Sequence, residues 1–172
     1  IMIGGDPLLS EDRHILRLGA GYRLHATMAH APEHGDLAEV DFNRVGHVLF
    51  SSIQYLHGDQ ATAGLTFSQG FRTPNLNEAV MLGDTGKYFH VPNADLGPER
   101  SDTIELLARG RMGRLRAACS GYVSFLHDLI KREETTWKGA DEVEGKSVAW
   151  NVNGGEGTLW GVEGVLGAEL GG

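Results

Sequence analysis

The sequence predicts an all-β fold, a stretch of an antiparallel transmembrane β-barrel with about six of its strands present. Three features predict it. Apolar residues recur at every second position over long segments, and those segments outrun the roughly five or six residues usual in soluble strands. The connections between them alternate between short and long along the chain, as in barrels with short turns on one side and long loops on the other.

The first strand is placed at 14–28. Its even positions read His14, Leu16, Leu18, Ala20, Tyr22, Leu24, Ala26 and Met28, and its odd positions Ile15, Arg17, Gly19, Gly21, Arg23, His25 and Thr27. One face is nearly all apolar and the other polar or small, whereas a helix would space its apolar residues three and four apart. The second strand, 45–57, reads as strand by composition, and the faces of His47–His57 are ambiguous. The third and fourth, 61–72 and 101–111, alternate more weakly. The fifth, 115–133, sets Leu115, Ala117, Cys119, Val123 and Phe125 against Arg116, Ser120, Tyr122 and Ser124. In the sixth, 147–170, Thr158, Trp160, Val162, Leu166 and Ala168 alternate with Gly157, Gly161, Glu163 and Glu169. Each run matches the ~10 residues that a tilted strand needs to cross a bilayer.

The turns around Gly58 and Gly113 are short, and the links at 29–44, 73–100 and 134–146 are long. Six strands cannot close a barrel wide enough for a ligand, and an open edge facing lipid is forbidden. The remaining strands are therefore expected outside this chain, and residues 1–172 read as one partial barrel without repeat or second domain.

Composition agrees. Hydrophobic residues make up 41%, and no run approaches the ~18 apolar residues of a membrane helix. Strands escape that test because only alternate residues face lipid. Glycine is frequent at 25 and proline scarce at 5, which suits many strands with tight bends. A net charge of -8 with no basic stripe argues against nucleic acid as a partner. Cys119 is the sole cysteine, so no internal disulfide forms, and a buried or lipid-facing thiol is expected. The start, Ile1-Met2-Ile3-Gly4-Gly5, lacks the basic and apolar regions of a signal peptide, and an internal fragment is the expectation.

Three motifs carry a family resemblance. Phe67–Pro74 reads Phe-Ser-Gln-Gly-Phe-Arg-Thr-Pro, followed by Asn75-Leu76-Asn77-Glu78. A second box runs Pro92-Asn93-Ala94-Asp95-Leu96-Gly97-Pro98-Glu99-Arg100-Ser101, ahead of a strand carrying Glu105. The third joins Asn151-Val152-Asn153-Gly154-Gly155-Glu156 to Trp160-Gly161-Val162-Glu163-Gly164. In order and spacing these resemble the Gly-Phe-Arg-Ala-Pro signature, the Asn-Pro-Asp/Asn-Leu-x-Pro-Glu-x-Ser box and the Tyr-Gly-Val-Glu strand of TonB-dependent receptors. The likeness spans about 44–170, with Thr73 where alanine is usual and Ala94 in place of the first proline.

The resemblance implies an outer-membrane transport receptor of a Gram-negative-type bacterium, not an enzyme. Its larger barrel is plugged, and its energy comes from the TonB complex through a part lying outside this sequence. Its partners are outer-membrane lipid and a small iron-containing ligand or haem protein. No cofactor is bound permanently, and haem or a ferric chelate is the transported ligand.

The residues bear on the same boxes directly. Thr73 can cap a short helical turn with Pro74 at its first position. Arg72 falls in the lumen-facing register with Thr66 and Ser68, to pair with a carboxylate such as Glu105 or with the plug, or to form a purely structural lumen ion pair. Phe71, Asn93, Asp95 and Leu96 complete the boxes.

Between the boxes the resemblance implies a histidine as axial haem ligand, which His90 matches by position, with Tyr88 as the alternative. An ordinary loop histidine is the competing reading, since the chain has eight. His30 and His34, with Asp36, form a loose candidate metal set, although Pro32 disfavours the helix that would align them. His127 and Asp128 point to opposite faces of a strand and make no catalytic dyad. Trp137, Trp150 and Trp160 are candidates for interfacial girdles or for packing. A non-transporting structural or adhesive outer-membrane barrel is the rival class, and a soluble ligand-binding barrel the third.

Overall fold

A computed structural model describes residues 13–33 and 39–169; the segment 1–5 and His34 and Asp36 of the loose metal set fall outside them. Six long strands form one antiparallel sheet: β1 (His14–Ala31), β2 (Val40–His57), β3 (Ala61–Arg72), β6 (Glu99–Met112), β7 (Leu115–Glu134) and β9 (Lys146–Ala168), neighbours in that order. The link between β3 and β6 holds a helix, α1 (Leu76–Val80), and two short strands, β4 (Gly83–Asp84) and β5 (Phe89–His90). A short β8 (Glu142–Val143) folds back on β9. Among the described residues no helix is long and apolar enough to cross a membrane.

Period-two alternation survives into the sheet because each step of one residue reverses the side chain. The register aligns the outward residues across strands: Leu18, Ile53, Leu65 and Leu106 form one row, and Phe67, Ile104, Val123 and Trp160 another. Leu18, Leu106, Trp160, Val162 and Leu166 are all exposed. The inward rows carry Arg17, Gln54, Ser120 and Glu163, or Ser52, Thr66, Glu105 and Tyr122. An apolar face left bare by the chain itself is the face lipid covers. Cys119 and Trp160 lie on it.

Hairpin turns fix the register. Gly113-Arg114 joins β6 to β7 with Gly113 at φ 60°, and Gly58 takes φ 53° between β2 and β3. The strands run further at the long-loop side than alternation indicated: β2 starts at Val40 rather than 45, and β6 at Glu99 rather than 101. Two irregularities occur near that side. Pairing of β2 with β3 stops at Phe50↔Ser68, and β7 bulges against β9 between Leu126 and Ile130, with Asp128 at φ 57°. Bulges re-aim strands at barrel rims.

The core sits at the rim, not within the sheet. Phe42, Ala79, Val91, Leu96, Val148 and Ala149 are each at most 3% exposed, and all belong to the long-loop side.

Candidate functional site

The β3–β6 link is a folded body laid across the inward side of the sheet. Its anchors on the strands are inward-register side chains: Phe42 and Arg44 of β2, Arg72 of β3, Glu99 of β6, and Asn151 and Asn153 of β9. It therefore reaches from β2 to β9, over the mouth of the lumen.

Local sequence starts the helix. Asn75 stays extended and accepts the Glu78 N–H at 2.9 Å, while Glu78 Oε2 accepts the Asn75 N–H at 2.9 Å. That reciprocal pair is a capping box. The expectation that Thr73 caps with Pro74 at the first helical position is corrected: both precede the cap, and it is the Asn75 side chain that accepts the Glu78 N–H. Past the helix, β5 pairs in parallel with β9, Phe89↔Val148 and His90↔Ala149, and Val91 N–H donates to Ala149 O at 2.9 Å.

The three sequence boxes meet here. Arg72 Nε donates to Glu99 Oε2 at 2.6 Å, and its Nη1 to Glu78 Oε2 at 2.9 Å. Glu99 Oε1 also accepts the Ile130 N–H at 2.8 Å, which ties β3, β6, α1 and β7 together. Of the partners named for Arg72, the ion pair within the lumen face forms, but with Glu99 and Glu78. Glu105, the carboxylate given as an example, lies opposite Thr66, while Glu99 stands directly across from Arg72 in the ladder.

Asn93 Nδ2 donates to Asn151 O at 2.8 Å, its Oδ1 accepts the Asp95 N–H at 3.0 Å, and its own N–H donates to Ala79 O at 2.8 Å. Asn151 Nδ2 donates to Glu78 O at 2.9 Å. Asn153 accepts the Gly97 N–H at 2.6 Å and donates to Gly97 O and Asp128 O at 3.0 and 2.8 Å. Arg44 stacks on Phe42 and donates to Ala94 O and Leu96 O at 2.5 and 2.9 Å. Arg44 carried no signal in the sequence. Phe71 lies against Gly46, where an added Cβ would come within 2.3 Å of its ring, and edge-on to His25. Its ring fills the gap where β2 and β3 part.

The candidate ligands take two positions. His90 is 2% exposed, with Nδ1 at 3.4 Å from Met81 O, inside the loop body. Tyr88 is half-buried at the tip, with Lys87 Nζ at 5.0 Å and Arg132 Cζ at 5.2 Å from its ring centroid. The tip is braced. Lys146 pairs with Asp84, Gly86 N–H donates to Asp84 Oδ1 at 2.6 Å, and the Thr85 N–H and hydroxyl both donate to Tyr88 O at 2.9 Å. Lys146 and then the Gly86 N–H hold the Asp84 carboxyl below the usual carboxylate range.

The other residues singled out lie elsewhere. His30 bonds Asp41 across β1 and β2 at 3.0 Å, with Glu39 Oε1 at 3.9 Å, all three exposed. His127 Nε2 lies 3.3 Å from Asp102, not from its neighbour Asp128. Trp137 closes a bridge with Ala140 in the β7–β9 link.

A family model described as TonB dependent receptor-like, beta-barrel, matches residues 13–171. A double mutant of the Serratia marcescens hemophore receptor HasR, solved in complex with its hemophore HasA and haem, is similar in fold with a TM-score of 0.61 at 14% identity. The alignment covers 89% of this chain and 27% of that one, so the chain spans about a quarter of its length. A search among curated proteins finds no match. With the match running from the first described strand to the last, the chain belongs to the TonB-dependent receptor-like β-barrel family.

Proposed function

We propose that this chain is the ligand-capturing part of an outer-membrane active-transport receptor. The receptor takes an iron-containing ligand, haem or a ferric chelate, at its long loops and imports it with energy supplied through the TonB complex. The observation that carries the reading is the β3–β6 loop body, which crosses the inward mouth from β2 to β9 and presents Tyr88 and His90 on one short stretch of chain. Imidazole and phenolate are both axial ligands for haem iron. Membership of the family supports an outer-membrane setting in a Gram-negative-type bacterium, and the haem in the HasR complex supports haem ahead of other chelates. Tyr88 meets solvent as the loop stands, whereas His90 reaches iron only when the loop body opens.

The test is a haemin titration of the full-length receptor in detergent, following the Soret band, beside His90→Ala and Tyr88→Phe variants. A saturable shift that weakens in either variant makes this a haem receptor and names the axial ligand. Absence of a shift in the parent removes haem and directs the search to ferric siderophores.

A further inference from the structure

We infer that the mouth recognises its ligand as a carboxylate-bearing anion, held by Lys87 and Arg132 where both meet the Tyr88 ring; this rests on the haem reading above and adds the part of the ligand that binds. Three observations point to it. Lys87 and Arg132 are exposed, both contact the Tyr88 ring, and among the described residues neither has an anionic partner. Other cations of the same region are already matched: Lys146 with Asp84, Lys131 with Glu133, and Arg72 with Glu78 and Glu99. A region that pairs these cations and leaves two on one aromatic ring has placed unspent positive charge there.

The second observation is direction. Arg132 stands opposite Asn151, in the inward register that carries the loop anchors, so its guanidinium faces the mouth and not lipid. Glu134 shares that register two residues on, and no ion pair joins it to Arg132. The third is rigidity. Lys87 and Tyr88 sit on the braced Asp84–Tyr88 turn, with Gly86 at φ 91°, which holds the seat in place before a ligand arrives. Preorganisation lowers the ordering cost of binding.

The chemistry suits a planar iron chelate with two carboxylates at one edge. Arginine takes a carboxylate through two parallel N–H bonds, lysine takes one as a point charge, and the phenol beside them lies against the ring system or meets the metal. Haem, with its two propionates, has that form.

The experiment compares haemin with its dimethyl ester, which keeps iron and ring but loses both negative charges. Both are titrated into the full-length receptor in detergent, as parent, as the Lys87→Gln/Arg132→Gln double variant, and as Arg132→Lys. The parent is expected to prefer haemin by ~10-fold or more, on the order of one charge-assisted contact. The double variant is expected to lose that preference while keeping the parent's affinity for the ester, and Arg132→Lys to retain part of it. Equal binding of haemin and ester by the parent overturns the inference and leaves the haem reading standing. So does a double variant that still discriminates. Failure of the parent to bind either porphyrin overturns both.

Discussion

The rim and the body of this sheet keep their apolar residues in opposite ways. At the rim, Phe42, Leu96, Val91 and Val148 are buried by the chain's own loop, and the polar groups around them are joined by Arg72, Asn93, Asn151 and Asn153. In the body, Leu18, Leu106, Trp160 and Leu166 stay bare, and little besides Leu56 and Ser124 is buried there. One region satisfies itself and the other depends on its solvent. A β-sheet of this composition is stable where hydrocarbon replaces water on one side, while its rim behaves as a small water-soluble domain with a hydrophobic core.

The largest effect should come from the body. Leu106→Arg, on the outward row, is predicted to cost about 2–4 kcal/mol when the full-length receptor folds into lipid vesicles. Leu107→Arg, one residue on and inward, should cost far less, and urea titration reads both. A similar cost at both positions would break the contrast.

The rim responds to lost partners instead. Glu99→Ala removes the acceptor of Arg72 and of the Ile130 N–H, and is predicted to destabilise the loop body by about 1–3 kcal/mol. Limited proteolysis between 73 and 98 should accelerate while the strands keep their hydrogen-exchange protection. A comparable loss is predicted for Gly46→Val, whose Cβ meets the Phe71 ring, at about 1–3 kcal/mol. Adding Phe71→Ala should relieve part of it, and a double-mutant cycle measures the relief.

How much of this was legible in the sequence differs by region for a physical reason. Alternation within β1, β7 and β9 records which side meets lipid, because the period is local to each strand. The rim depends on pairs far apart in the chain. The capping box is present as Asn75-Leu76-Asn77-Glu78, but Pro74 as a first helical residue sets the helix start two residues too early. For Arg72 the sequence offers Glu105 only as one example of a carboxylate partner, because the register is not visible in it; once β3 is paired with β6, Glu99 stands opposite it. The parallel seating of β5 on β9, and the hold of Arg44 on Ala94 and Leu96 from 50 and 52 residues away, have no local signature. The boxes were legible as a family mark, and the structure gives them a mechanical role that the letters alone did not.

The smallest effect lies at the loop tip. Because the folded pKa of Asp84 is depressed, chiefly by Lys146, its contribution is present above the unfolded pKa of about 4 and lost as pH falls through the lower folded value. Exchange protection of the Thr85 and Gly86 amides should hold steady from neutral pH down to about 4 and then fall. Lys146→Met should flatten that profile.

The central claim is that one face of this sheet lies in lipid and the other lines a lumen. It is tested most directly by spin labels placed one at a time from Ile104 to Arg109 in the reconstituted full-length receptor, after Cys119→Ser. Collision with dissolved oxygen should alternate, high at Ile104, Leu106 and Ala108 and low at Glu105, Leu107 and Arg109. A flat profile, or one with the phases exchanged, would contradict the account.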